Sequence, residues 1–408
     1  MSDALDWSRQ ASAMAPTLPR ALLMVLGLSL AWGLSWLPAW AKPAAAPSGA
    51  AANLLDFSPT ERAQINAHGP WPPPPVADAG NRAVGNPAAQ RFGQMLFFDA
   101  RLSADGRQSC ASCHQPARAF QDGLATALGR STGQRNTPSL LDAAQWRWFG
   151  WDGANDSLWA ASLAPLLADS EMAQSLASLA AGALAQPSWQ APYRAAFKST
   201  MPADDETLAV NLAKALAAYQ VTLVSPRSAF DDFRDALARG DWQAAGRYPM
   251  AAQRGLRLFI GAGRCSVCHS GAQFSNGEFA DIGMRFFVPG GVDPGRHGGL
   301  KKLMTSRLTR LGTYNDAGAD DPRAVPTRHL VQEHRHFGEF RVPGLRQLVH
   351  TAPYMHNGSL ATLEDVVRHY DQLDEERLHA DGERILRPLN LRAEQAADLT
   401  AFLRSLSR

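Results

Sequence analysis

The sequence predicts a mainly α-helical protein, built as two tandem domains of one design and interrupted by long loops. Three observations carry this reading. First, Gln90-Arg91-Phe92-Gly93-Gln94-Met95-Leu96-Phe97 and Gln253-Arg254-Gly255-Leu256-Arg257-Leu258-Phe259 both contain Gly-x-x-Leu-Phe and both precede a cysteine pair, as expected of a duplicated unit. Second, Leu208, Leu212, Leu216, Tyr219 and Leu223 recur at helical spacing, as do Leu399, Phe402, Leu403 and Leu406 near the end. Third, strand-like alternation is scarce.

Along the chain, residues 1–41 read as an export signal peptide. Arg9 and Arg20 precede an apolar run from Ala21 to Leu34, and Ala39-Trp40-Ala41 fits a small-x-small cleavage site. The competing expectation is an uncleaved membrane anchor. Residues 42–85, rich in Ala and Pro and containing Trp71-Pro72-Pro73-Pro74-Pro75, read as a linker. The N-terminal domain is expected over 86–245 and the C-terminal domain over 246–408, with the junction near Gly240 to Pro249. Thr362 followed by Asp365 signals a helix start that places Leu363, Val366, Val367 and Tyr370 on one face. The Gly- and Pro-rich segment Val288 to Gly299 reads as loop.

With 408 residues, 45% of them hydrophobic, the chain can bury a substantial core. A net charge of +2 gives no electrostatic ground for a nucleic-acid partner, and a membrane is expected only if the N-terminal segment stays uncleaved.

All four cysteines lie in two copies of one pattern, Cys110-Ala-Ser-Cys113-His114 and Cys265-Ser-Val-Cys268-His269. Two thiols at this spacing can form thioethers to the vinyl groups of one haem, and the adjacent His then sits under the iron. A disulfide would not require His after the second Cys in both copies. A zinc site needs four ligands where each motif offers three crowded together, and a cytoplasmic redox dithiol conflicts with an export signal. Each domain is therefore read as cytochrome c-like, with one covalently bound haem c.

The segments Leu96-Phe97-Phe98-Asp99 with Arg101-Leu102-Ser103, Arg135-Asn136-Thr137-Pro138, Trp151-Asp152-Gly153, Glu171-Met172 and Thr351-Ala352-Pro353-Tyr354-Met355-His356-Asn357-Gly358 resemble the bacterial di-haem cytochrome c peroxidase superfamily, in order from about residue 90 to the C-terminus. The resemblance implies a periplasmic enzyme with hydrogen peroxide chemistry at the N-terminal haem and electron relay through the C-terminal one. It also implies an electron-donor protein or a protein substrate as partner. Ordinary members carry a Met ligand nineteen residues after the first Thr of Thr-Ala-Pro-Tyr. Here that count reaches Tyr370, as in the MauG-like branch. A phenolate favours ferric or higher-valent iron, whereas a thioether favours ferrous iron. Met355 is the competing ligand, and plain aromatic packing is the bland alternative for Tyr370.

The family's carboxylate for peroxide proton transfer lies twenty residues after the Trp of Trp-Asp-Gly, which reaches Glu171, and the Pro shaping that pocket falls at Pro165. Ordinary members also carry a removable His after the first motif. No His occurs between His114 and His269, so the first iron is expected to be open. Trp151 would sit between the haems as a stepping stone for electrons. Asn136, Thr351 and Pro353 match positions that hold a calcium ion through oxygen atoms in relatives. His329, His334 and His336 could suggest a further metal site, but a solvated loop is the expectation. MauG passes oxidising equivalents through a Trp two residues before its second motif. Gly263 stands there in this chain, so that exit route is not carried over. The competing functions are a purely electron-transferring di-haem cytochrome and a MauG-like oxidation of a partner protein.

Overall fold

Ser58 opens the first helix, α1 (Pro59–Asn66): its hydroxyl accepts from the Glu61 N–H while the Glu61 carboxylate accepts from the Ser58 N–H. This computed structural model describes residues 53–408 except 76, 285–286, 290, 376–378 and 383, so the expected signal peptide lies outside the described residues. No described helix is long and apolar enough to cross a membrane.

Part of the stretch expected as linker is packed rather than free. Phe57 and Ile65 are buried in the same apolar cluster as Phe230, Phe259, Phe274 and Phe402, all from the second half of the chain. Trp71 is buried too: its indole N–H donates to the Ser225 carbonyl, and the Arg346 guanidinium lies 3.6 Å from its ring. The composition is that of a linker, but its few large apolar residues gain more by burial than the Pro-rich backbone gains by staying solvated.

The first core is built from α2 (Pro87–Phe97), α3 (Cys110–Cys113), α4 (Leu158–Leu167), α5 (Leu176–Leu184), α6 (Pro187–Phe197) and α7 (Asp205–Gln220). Asn86 caps α2 through the Ala88 N–H, with Pro87 at the first helical position, where its missing N–H costs nothing. The periodic leucines of α7 are buried throughout. The shared glycine explains how α2 approaches α7, because a Cβ on Gly93 would stand 1.9 Å from the Ala215 carbonyl oxygen.

The second core uses α8 (Ala229–Arg239), α9 (Trp242–Ala245), α10 (Met250–Ile260) and, later in the chain, α13 (Leu363–Asp371) and α14 (Ala393–Arg404). Gly240 ends α8 in the left-handed conformation, close to the expected junction. Between α10 and the C-terminal helices run α11 (Gly295–Thr305), α12 (Val325–Arg328) and two small antiparallel ribbons. In one, β1 (Phe279–Ala280) pairs with β4 (Phe340–Arg341); in the other, β2 (Phe287–Val288) pairs with β3 (Gly291–Val292). The last helices are α13 and α14. Gly255 of α10 repeats the close approach of Gly93, here to Asp398 of α14. Thr362 and Asp365 form the expected reciprocal cap of α13.

The segment 288–299 departs from the loop reading, since β2, β3 and the start of α11 fall within it. Two of the glycines that signal a loop, Gly295 and Gly299, serve close packing instead. A Cβ on Gly299 would stand 2.0 Å from the Asp152 carbonyl oxygen, and Gly295, at φ +51, receives its N-terminal anchor from the Asp293 carboxylate.

Candidate active site

The two cysteine motifs fold alike around their histidines. The His114 backbone N–H donates to the Cys110 carbonyl at 2.8 Å, and that of His269 to Cys265 at 2.9 Å, so each His follows its cysteine pair on one tight turn. Each imidazole is then fixed by a phenylalanine carbonyl. Nδ1 of His114 donates to Phe120 at 3.0 Å and Nδ1 of His269 donates to Phe274 at 2.9 Å. Both phenylalanines turn their carbonyls inward from a left-handed backbone, at φ 59 and φ 56. Because a carbonyl only accepts, Nδ1 carries the proton and Nε2 presents a lone pair for a metal. Burial lowers both imidazole pKa values, which favours the neutral, ligating form. Burial also raises the thiols of Cys110 and Cys265 to about 12 and of Cys113 to about 11.

Cys265, Cys268 and His269 line one cavity of about 400 Å³ whose walls include Phe259, Val367, Leu399 and Leu403. An apolar cavity entered by two thiols and one oriented imidazole fits a covalently held haem. Tyr370 and Met355 line the same cavity, the first from α13 and the second from a left-handed turn at φ 73. Burial, and secondarily the two thiols, raise the Tyr370 phenol above its ordinary value.

Around the first motif, Cys110 packs against the first core. Cys113 approaches the Leu128 carbonyl at 3.6 Å, and Gly129 abuts the backbone of Ser170 and Glu171. The charge of Glu171 is felt at both Cys110 and Cys113. Glu171 keeps an exposed outer surface, yet the atoms packed around its carboxylate desolvate it and raise its pKa. Pro165 lies in α4, and its carbonyl accepts from the Met172 N–H at 3.2 Å, so it ties α4 to the turn that carries Glu171.

Trp151 sits where the two halves meet. Its indole N–H donates to the Asn136 carbonyl at 2.8 Å, its own carbonyl accepts from the Arg341 N–H at 2.8 Å, and its ring lines the His269 cavity. Next to it, Asp152 pairs with Arg135, which also grips Asp293. Asn136, Thr351 and Pro353 line this wall as well, and the Asn136 side-chain nitrogen is committed to the Leu124 carbonyl.

The chain is 33% identical over 361 residues to the methylamine utilization protein MauG of Methylorubrum extorquens, covering 88% of this chain and 89% of that protein. It belongs to the di-haem cytochrome c peroxidase family. The family described as di-haem cytochrome c peroxidase also matches residues 87–239 directly. Cytochrome-c peroxidase IdrP1 of Denitromonas iodatirespirans is 34% identical, over 83% of this chain and 86% of that one. Among solved structures, a MauG-like protein associated with microbial copper homeostasis aligns with a TM-score of 0.61 at 26% identity, covering 83% of this chain and 95% of that chain. The di-haem peroxidase BthA from Burkholderia thailandensis shares the fold, at a TM-score of 0.62 and 24% identity over 79% and 86% of the two chains. This di-haem peroxidase is thus an oxidoreductase acting with peroxide, and two covalently bound haems c are its cofactors.

Some residues around the sites of this di-haem peroxidase had no role assigned from the sequence. His68 stacks on Phe274 at 4.5 Å between ring centres and bonds to the Gly271 carbonyl, thereby backing the turn that holds His269. His356 stacks on Phe340 at 3.5 Å in the cavity wall. The anchoring carbonyls of Phe120 and Phe274 are backbone atoms and leave no residue-type signature; only a Phe five or six residues after each His hinted at them.

Proposed function

We propose that this di-haem peroxidase is exported to the periplasm and reduces hydrogen peroxide at the His114 site, sharing the oxidising equivalents with the His269 site. Its domains are taken as 86–245 and 246–408 along the sequence, although residues 230–245 of α8 and α9 pack into the second apolar core and not the first. The observation that carries the asymmetry is Glu171: a desolvated carboxylate with a raised pKa next to the first cysteine pair, in a chain with no His between His114 and His269.

When bound, the haems supply the redox equivalents for O–O cleavage. Glu171, as carboxylate, takes the proton from one peroxide oxygen and returns it to the other, which leaves as water. Pro165 holds the turn that aims Glu171. Trp151, hydrogen-bonded to Asn136 and to Arg341 and lining the His269 cavity, serves electron passage between the two sites. Tyr370, which lines the same cavity as His269, would hold the second haem iron together with His269 when that haem is bound. Its desolvated phenol ionises only beside a compensating cation such as ferric iron, and it then favours the higher oxidation states. Met355, on the same cavity, is the alternative cap. Asn136, Thr351 and Pro353 offer oxygen atoms for one calcium ion between the halves. The electrons come from a periplasmic donor protein or from a protein substrate.

An EPR spectrum of the oxidised holoprotein, followed by one equivalent of peroxide, tests this reading. One high-spin and one low-spin signal that change on addition are expected. Two low-spin signals with no change would make the protein an electron-transfer cytochrome.

A further inference from the structure

We propose that His334, His379 and Asp381 form a separate binding site for a divalent transition-metal ion of the zinc or copper(II) type. Their ligand atoms all lie within 4.8 Å of one another, although the two histidines are 45 positions apart in the sequence. None of the three lines the cavity at His269, and they are distinct from the oxygen-bearing Asn136, Thr351 and Pro353.

The proton bookkeeping at His379 points to a cation. Its Nε2 lies 2.8 Å from the Phe337 carbonyl, which can only accept, so Nε2 carries a proton. In the neutral ring, Nδ1 is then a lone pair, and it faces the Asp381 carboxylate at 2.6 Å. A lone pair against an anion at that distance is repulsive unless a positive charge sits with them, either a second proton on the ring or a metal ion. An imidazole whose far nitrogen is anchored on a backbone carbonyl is the usual arrangement of a metal-ligating His.

His334 completes the set. Its Nδ1 approaches the two Asp381 oxygens at 3.0 and 3.1 Å, and its ring stands edge-on to His379, 4.8 Å between centres. Two imidazoles and one carboxylate are a borderline donor set, matched to zinc or copper(II) and unlike the all-oxygen shell that calcium takes. His334 and Asp381 are exposed, so an ion can enter and complete its shell with water. His336 is spent on the Glu333 N–H, and His329 stands apart from the group. Of the three histidines expected to lie in a solvated loop, only His334 belongs to the proposed site, joined by partners from a later loop.

Isothermal titration of chelator-stripped holoprotein with zinc alone tests the site. One zinc ion per chain is expected. His334→Ala, His379→Ala and Asp381→Ala should each weaken binding by more than about tenfold, the scale of losing a ligand or its immediate support. His329→Ala should bind as the parent does. The haem absorption spectrum reports whether each variant folds, and exposed Asp381→Asn, which keeps the shape and removes the charge, decides if His379→Ala does not. No zinc uptake, undiminished binding in Asp381→Asn, or equal weakening by His329→Ala would overturn the proposal in favour of a protonated His–Asp pair.

Discussion

Gly255 packs against the Asp398 carbonyl so closely that a Cβ would stand 1.9 Å from the oxygen and 2.8 Å from the Phe402 Cβ. Both neighbours belong to α14, a rigid helix, so the clash cannot be relieved by a side-chain rotation. Gly255→Ala should therefore push α10 off α14 and destabilise the fold by about 1–3 kcal/mol. Thermal unfolding of the holoprotein measures this, and an unchanged Tm would contradict it. Gly93→Ala should behave alike at α2 and α7, where the same distance recurs.

Glu171→Gln should retain both haems and lose peroxide turnover by about 10²–10⁴-fold, the usual weight of a positioned proton-transfer group. The pH profile carries the finer test. Proton acceptance requires the carboxylate, and desolvation raises the Glu171 pKa. Activity should therefore fall as pH drops through a value above the ordinary carboxylate range, and be full above it. Stopped-flow rates across pH should show this acid limb in the parent, and a residual Gln activity without it.

Tyr370→Phe keeps the aromatic packing of α13 and removes only the hydroxyl. The low-spin EPR signal of the second haem should change, and equivalents should no longer be shared after peroxide addition. An unchanged spectrum assigns the cap elsewhere, and Met355→Leu would then be expected to change it.

Asp231 and Arg346 form a buried bidentate pair, with both bonds at 2.9 Å and side chains 1% and 3% exposed. Asp231→Asn leaves the Arg346 guanidinium without its counter-charge and should cost about 3–5 kcal/mol in chemical denaturation. Burial opposes the Asp231 charge, but the Arg346 bonds outweigh it and lower the pKa below 3.8. The folded pKa is thus below the unfolded one. The pair's contribution is complete above about pH 4 and is lost as pH falls further, a loss that Asp231→Asn should not show.

How much of this was legible in the residues differs from site to site. The Cys-x-x-Cys-His motifs, the buried face of α7 and the cap at Thr362 could be read directly, because each depends on spacing within a few positions of one chain segment. The Ala/Pro-rich stretch misled because composition reports what a segment can do in water, whereas Phe57 and Ile65 find apolar partners, and Trp71 a carbonyl and a guanidinium, more than 150 positions away. Gly295 and Gly299 misled in the same way, since a glycine that permits a loop equally permits a helix to touch the Asp152 backbone.

By itself, the sequence determined that two haem-binding turns exist, which helices frame them and which family they belong to, because covalent spacing and helical period act locally. The tertiary structure decided what surrounds those turns. It desolvated Glu171 beside the first cysteine pair, brought Tyr370 and Met355 to one cavity with His269, set Trp151 across the two halves, and joined His334 to His379 and Asp381. These are relations of burial and charge between distant segments, and their energies depend on distances that only the packed chain defines.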